Sequence, residues 1–163
     1  MSRLTLRAYA SDDLEEVLKL FYDTVHSVNL KDYTPAQADA WAGPEPDREA
    51  WNASLIRNRA LVALLDGKIV GFADMDATGY LDRLYVHRDF QRRGIATALC
   101  DALEARAGQS TFTTHASITA RPFFESRGYR LVRAQSVRRA RETLTNYVMQ
   151  KGGETECAES TGR

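Results

Sequence analysis

The hydrophobic period changes twice between residues 60 and 107, so one domain must hold both strands and a helix there. "ALVALL" and "KIVGFADMDA" are β-rich runs separated by Asp66-Gly67, a two-residue turn signal that favours a hairpin because glycine accepts positive φ. "YLDRLYV" (80–86) follows Thr78-Gly79 and reads as a third strand. The period then becomes helical: Ile95, Leu99, Ala102, Leu103 and Arg106 share one face, and Gly108 ends the segment. A three-strand meander thus runs directly into an amphipathic helix.

The flanking segments extend this plan. Residues 3–9, "RLTLRAY", alternate as a strand, and a helix follows with Asp12 and Glu15 as a capping pair and Leu14, Val17, Leu18, Phe21 and Val25 on its apolar face. Thr34, Pro35 and Gln37 spell a second helix start: N-cap, first-turn proline and capping-box partner. Pro44 and Pro46 end that helix, and residues 48–58 resume one with Trp51, Leu55 and Ile56 inward. "STFTTHA" is a strand, "ARPFFESR" a short helix ended by Gly128, and "YRLVRAQ" and "TLTNYVMQK" are two more strands. The order predicts one mixed α/β domain over residues 1–151 with helices on both sheet faces, and a disordered polar tail over residues 152–163.

Composition narrows the function classes. Lys plus Arg and Asp plus Glu both total 22, so no global field favours a nucleic-acid partner. Cys100 and Cys157 fit a reduced, cytoplasmic chain better than a disulfide framework, and no His/Cys/Asp/Glu cluster has metal-ligand spacing. No apolar run approaches the roughly 20 residues of a membrane span, so a soluble protein without a membrane partner is expected.

The sharpest local feature is "FQRRGIATAL" (90–99), which places Gly94 at the entrance of the helix after strand 80–86. The first amides of a helix lack internal partners and carry partial positive charge. Gly94 admits a phosphate to the backbone, Ala96 keeps the next position small, Arg92 and Arg93 add charge, and Thr97 offers a hydroxyl. The spacing is neither a P-loop nor G-x-G-x-x-G. It matches [QR]-x-x-G-x-[GA], with Gln91, Gly94 and Ala96 in place.

On these residues the chain resembles the GNAT superfamily of N-acetyltransferases, whose corresponding loop binds the pyrophosphate of acetyl-CoA. "LYVHRDFQRRGIATALCDALEARA" resembles the family's strand, loop and helix, and "ASITARPFFESRGYRLV" its following helix and strand. "VHSVNLKDYTPAQADAWA" together with "LTNYVMQK" looks like the YafP-type subgroup. The resemblance implies a mixed, mostly antiparallel central sheet of about seven strands between two helical layers. It implies acetyl-CoA as the acetyl donor, with Leu84 and Val86 pairing its pantetheine arm, the amides of Arg92 to Thr97, Ile95 included, under its pyrophosphate, and Ser117 as a further contact. The acceptor is expected to be an amine of a small molecule or protein, and the family often forms homodimers.

Acetyl transfer needs a neutral amine, a polarised thioester carbonyl and a proton for the departing thiolate. An alkylamine is mostly protonated at neutral pH, with pKa ~10.4, so a base is useful. Asp82 is the leading candidate, on parity with Leu84 and Val86; Asp74 and Asp76 on the preceding strand are the others. A strand N–H, that of Tyr85 or Val86, would polarise the carbonyl. The family's thiolate-protonating tyrosine corresponds to Phe124 in "FFESRGY", which cannot donate; Tyr147, Tyr129 and Ser117 are the substitutes, Tyr147 foremost. His26, Asn29, Tyr33 and Trp41 lie in the region that forms the family's acceptor cleft, and Asp76 is expected to join them in binding the substrate, while His87 and His115 receive no role. Cys100 sits inside the helix and is expected to be packed rather than acylated. A non-catalytic acyl-CoA sensor is the competing reading, motivated by Phe124. A nucleic-acid module built on Arg92, Arg93, Arg138, Arg139 and Arg141 is remote at zero net charge.

Overall fold

The computed structural model describes residues 3–153. A seven-stranded sheet runs in the order β1-β2-β3-β4-β5-β7-β6. The strands are β1 (Leu4–Ala8), β2 (Leu61–Leu65), β3 (Lys68–Met75), β4 (Tyr80–Val86), β5 (Phe112–Ser117), β6 (Arg130–Arg139) and β7 (Glu142–Lys151). Every pairing is antiparallel except β4 with β5, which run parallel and pair only at Tyr80↔Thr113 and Leu81↔Thr114. The sheet therefore forks in its middle.

Helices α1 (Leu14–Val25), α2 (Pro35–Trp41) and α3 (Arg48–Arg57) cover one face; α4 (Ile95–Arg106) and α5 (Arg121–Ser126) cover the other. The first core joins Val17, Phe21, Val25 and Leu55 to Val62 and Phe72. The second joins Ile95, Leu99, Cys100, Leu103 and Phe124 to Val70, Leu81, Ala116 and Met149.

Local signals explain most boundaries. Thr34 Oγ1 accepts from the Gln37 amide at 3.1 Å while Gln37 Oε1 accepts from the Thr34 amide at 2.9 Å, closing the expected capping box. Asp66 and Gly67 both adopt positive φ, as a primed hairpin turn requires. At α1 the sequence reading needs correction. Residues 11–13 form a 3-10 turn, and Asp13 rather than Asp12 secures the start, accepting from the Ala10 amide at 2.9 Å and from both Arg7 terminal nitrogens. Ile56, expected inward, is 52% exposed because α3 buries Leu55 instead. Of the expected tail, Gly152 and Gly153 are described, and residues 154–163 lie outside the described residues.

β4 carries the irregularity that matters most. Its pairing with β3 jumps from Asp74↔Arg83 to Met75↔Leu81, which leaves Asp82 as the extra residue of a bulge. The bulge breaks side-chain alternation: Leu81 and Val86, an odd number of positions apart, both join the α4 core. Parity therefore does not group Asp82 with Leu84 and Val86.

Candidate active site

Two clefts meet at the fork. The first, about 520 Å³, lies between the end of β4, the start of α4 and the β5–α5 connection. The second, about 720 Å³, lies over the β5–β7–β6 side of the sheet beneath the α2–α3 connection. Both volumes suit a small-molecule site. Trp41, Asp82, Tyr85, His115 and Ser117 line both.

The fork has a defined hinge point. Thr114 Oγ1 donates to the Leu81 carbonyl at 2.9 Å, the last link between β4 and β5. Beyond it the β4 backbone from Asp82 to Val86 has no β5 partner. The His87 amide donates to the Val70 carbonyl of β3 at 2.8 Å, so by alternation the Tyr85 amide also faces β3, while those of Leu84 and Val86 face the open side. Gln91 Nε2 donates to the Val86 carbonyl at 2.5 Å from that side. Of the two amides expected to polarise a carbonyl, Val86's faces the gap and Tyr85's does not.

The α4 entrance has the geometry of an anion cradle. Gly94 is the N-cap at φ 79°, ψ 8°, and a Cβ there would meet nothing within 4 Å, so the backbone is open to a ligand. The first helical amide bonded back is that of Ala98, to the Gly94 carbonyl. Arg92, itself at φ 61°, lines the first cleft with Gly94, Ala96 and Thr97, and Lys31 faces it from across. These donors and charges fit a pyrophosphate, and the unpaired β4 amides fit an extended amide chain leading from it.

Several expected contacts have other duties. Ile95 is buried in the α4 core, so only its backbone reaches the loop. The Arg93 guanidinium stacks on Phe90 at 5.2 Å and is not among the residues lining the cleft. Phe124 is 2% exposed and closes the floor of the first cleft. Ser117 Oγ accepts from the Ala120 amide at 3.0 Å, capping the turn into α5 while its side chain lines both clefts.

The acceptor-side expectations divide. Trp41 lines both clefts, and its ring meets Tyr33 edge-on at 5.4 Å. Tyr33 borders the second cleft, but its hydroxyl accepts from the Ile118 amide at 2.9 Å and donates to the Thr145 carbonyl at 2.7 Å, which makes it a brace. Asn29 lines the first cleft instead. His26 lies in neither: it stacks on Tyr22 at 4.1 Å and its Nε2 is 2.8 Å from the Ala42 carbonyl. Asp76 closes the β3–β4 turn, accepting from Thr78 and the Tyr80 amide; burial opposes its ionisation, but those donors hold its carboxyl below the usual range. Tyr147 lies outside both clefts, on the α4/α5 face of β7 beneath the Arg121 guanidinium at 4.5 Å. These three residue types suited the chemistry; a helix end, a turn and strand register respectively sent their side chains elsewhere.

Asp74, a candidate base from the sequence, lines neither cleft, and its burial, like the placing of His115, had no usable sequence signal. Asp74, fully buried, accepts from Arg83 at 2.6 Å and Asn58 at 3.1 Å, and burial pushes its carboxyl up to about 6 against the pull of Arg83. Arg83 in turn donates to Ser54 at 2.7 Å and lies over Trp51, fixing one wall of the second cleft. His115 is the first β5 residue beyond the hinge point and faces both clefts.

Comparison with known proteins agrees with this geometry. Residues 29–151 match the acetyltransferase (GNAT) domain. The chain is 33% identical over 149 residues to YafP of Escherichia coli, described as an uncharacterized N-acetyltransferase, covering 91% of this chain and 96% of YafP. It is 35% identical to a GCN5-related N-acetyltransferase from Rhodopseudomonas palustris, with a TM-score of 0.88 over 93% of this chain and 97% of that one. YncA of Salmonella typhimurium, solved with acetyl-CoA, shares the fold at a TM-score of 0.68 and 16% identity, over 93% of this chain and 94% of that one.

Proposed function

The chain belongs to the GNAT acetyltransferase family, and from that premise we propose that it transfers the acetyl group of acetyl-CoA directly to a primary amine of a small molecule. The observation that carries the reading is the meeting of two clefts at the β4/β5 fork, one with an anion cradle and one without. Donor and acceptor enter from opposite ends and react where Asp82 and Tyr85 border both.

In this reading the amides of Gly94 to Thr97 and the Arg92 guanidinium bind the pyrophosphate of acetyl-CoA, as a cosubstrate. The Leu84 and Val86 amides pair its pantetheine arm, and the amide nearest the thioester stabilises the charge that develops on the carbonyl oxygen. Asp82, half-exposed on its bulge with Arg83 Nη2 at 4.0 Å, accepts the proton that turns the acceptor's ammonium into a nucleophile. Walls of Phe21, Trp41 and Trp51 suit an amine carried on an apolar body.

The buried Phe124, which can protonate nothing, favours one second reading, an acyl-CoA sensor. Calorimetric titration with acetyl-CoA followed by thiol release on an amine panel separates the two. Binding with turnover supports the transferase, binding without turnover supports the sensor, and a folded protein that does not bind acetyl-CoA overturns both.

A further inference from the structure

We infer that His115 is a catalytic residue that carries a proton from the attacking acceptor nitrogen to the departing thiolate, the duty that Phe124 leaves open. This rests on the acetyl-transfer reading above.

The geometry narrows the field. Among the described residues, only Trp41, Asp82, Tyr85, His115 and Ser117 border both clefts, and a group that serves both reactants must do so. The Trp41 indole is a donor without a lone pair to accept a proton. The Tyr85 phenol is packed against Phe21 and Phe72, and burial drives its ionisation well above the ordinary range, against the hydrogen bond from Trp41. Ser117 Oγ accepts from the Ala120 amide, and a neutral alcohol is far too weak a base to take up a proton near neutral pH and hold it between the two reactants. Asp82 takes the first proton, the one that leaves the ammonium. His115 remains, and imidazole is the side chain whose ordinary pKa, ~6.5, lets it both accept and release a proton near neutral pH.

Its setting suits the task. Thr114, the neighbouring residue, makes the last bond to β4, so His115 is where β5 first borders the gap. The ring meets Tyr80 edge-on at 5.1 Å, and Nδ1 lies 3.3 Å from Gln135 Nε2. Nε2 has no hydrogen-bond partner among the described residues. Gln135 can turn its amide oxygen to Nδ1–H, which holds the ring and keeps the lone pair on Nε2. The groups facing the ring are Tyr80 and Asp82 from β4, Arg133 and Gln135 from β6, and Val148 opposite on β7. Burial and Arg133 lower the imidazole pKa, with Asp82 opposing, which favours the neutral ring as the starting form.

The step balances. The amine lone pair forms the N–C bond to the acetyl carbon, and the C–S bond breaks with its electron pair on sulfur. The N–H proton passes to Nε2 and from there to the thiolate, which leaves His115 neutral. The one proton released per turnover is the ammonium proton taken by Asp82.

The test compares CoA with desulfo-CoA, which lacks the sulfur, by NMR titration of the His115 imidazole in the full chain. Both ligands should perturb the amides of Gly94 to Thr97, while CoA alone shifts the His115 midpoint, by half a pH unit or more. Identical midpoints with both ligands bound overturn the proposal and leave the acetyl-transfer reading standing. If neither ligand perturbs the Gly94 to Thr97 amides, that reading fails and this one with it. For any amine turned over among phenethylamine, spermidine, glycinamide and aniline, His115→Gln should lower kcat about 100-fold, with the KM for acetyl-CoA within twofold. A kcat within twofold of wild type also overturns the proposal.

Discussion

The hydroxyl of Thr114 donates to the carbonyl of Leu81 at 2.9 Å, and at that bond a continuous sheet becomes two separate half-sheets. On one side of it the strands satisfy each other; on the other, the amides of Leu84 and Val86 face a gap with no β5 partner.

Gly94→Glu should weaken acetyl-CoA binding at least 100-fold by calorimetry, because it sets a carboxylate in the space the pyrophosphate would occupy. Gly94→Ala separates bulk and charge from backbone strain. With nothing within 4 Å of its Cβ, it should cost only the left-handed penalty, about 1 kcal/mol in urea unfolding.

Asp82→Asn should lower kcat by about 100-fold or more while the dissociation constant of acetyl-CoA stays within twofold. A rise in acceptor KM with unchanged kcat would make Asp82 a binding group instead.

Asp74 gives a pH signature. Its folded pKa of about 6 lies above the ordinary 3.8, so the folded state binds the extra proton between those values. Its contribution to stability is present below pH 4 and is lost as pH rises through 6. Asp74→Asn, which never ionises, should therefore gain on wild type by up to about 3 kcal/mol between pH 4 and pH 7. Asp74→Ala instead strands Arg83 and Asn58 and should cost about 3–5 kcal/mol. Urea melts at the two pH values check both signs.

Cys100→Ala should keep kcat within twofold. The thiol is fully buried in the α4 core and burial pushes its pKa up to about 12, so no thiolate is available for acylation. Intact-mass analysis after incubation with acetyl-CoA should show no acetylated protein.

Tyr33→Phe removes one hydroxyl that serves two backbone groups. The Ile118 amide and Thr145 carbonyl lose their partner, at a cost of about 1–3 kcal/mol, seen as a melting temperature lower by roughly 3–10 °C.

Elements built from local rules were readable in advance. The Thr34-Pro35-Gln37 start, the Asp66-Gly67 turn, strand 80–86 and the Gly94 helix entrance depend on neighbours in sequence, and each lies where propensity and capping put it. Side-chain destinations were harder, because they depend on partners far along the chain. One residue inserted at Asp82 reverses the alternation of β4, and nothing in "YLDRLYV" announces it. Asp76 and Tyr147 had suitable chemistry, yet a turn claimed the first and strand register turned the second onto the α4/α5 face of the sheet. His115 gained significance only from the place where β4 and β5 part.

The Tyr33 brace also bears on the order in which the protein can be made. Its hydroxyl joins residue 33 to Ile118 and Thr145, contacts spanning 85 and 112 residues of sequence. The Gly94 helix entrance, by contrast, is built from a short stretch of strand, turn and helix that a ribosome delivers together. During synthesis the β4–α4 end can acquire its shape well before the opposite wall has its last strand, so a truncated or stalled chain would hold the Gly94 helix entrance without the β6–β7 wall of the second cleft.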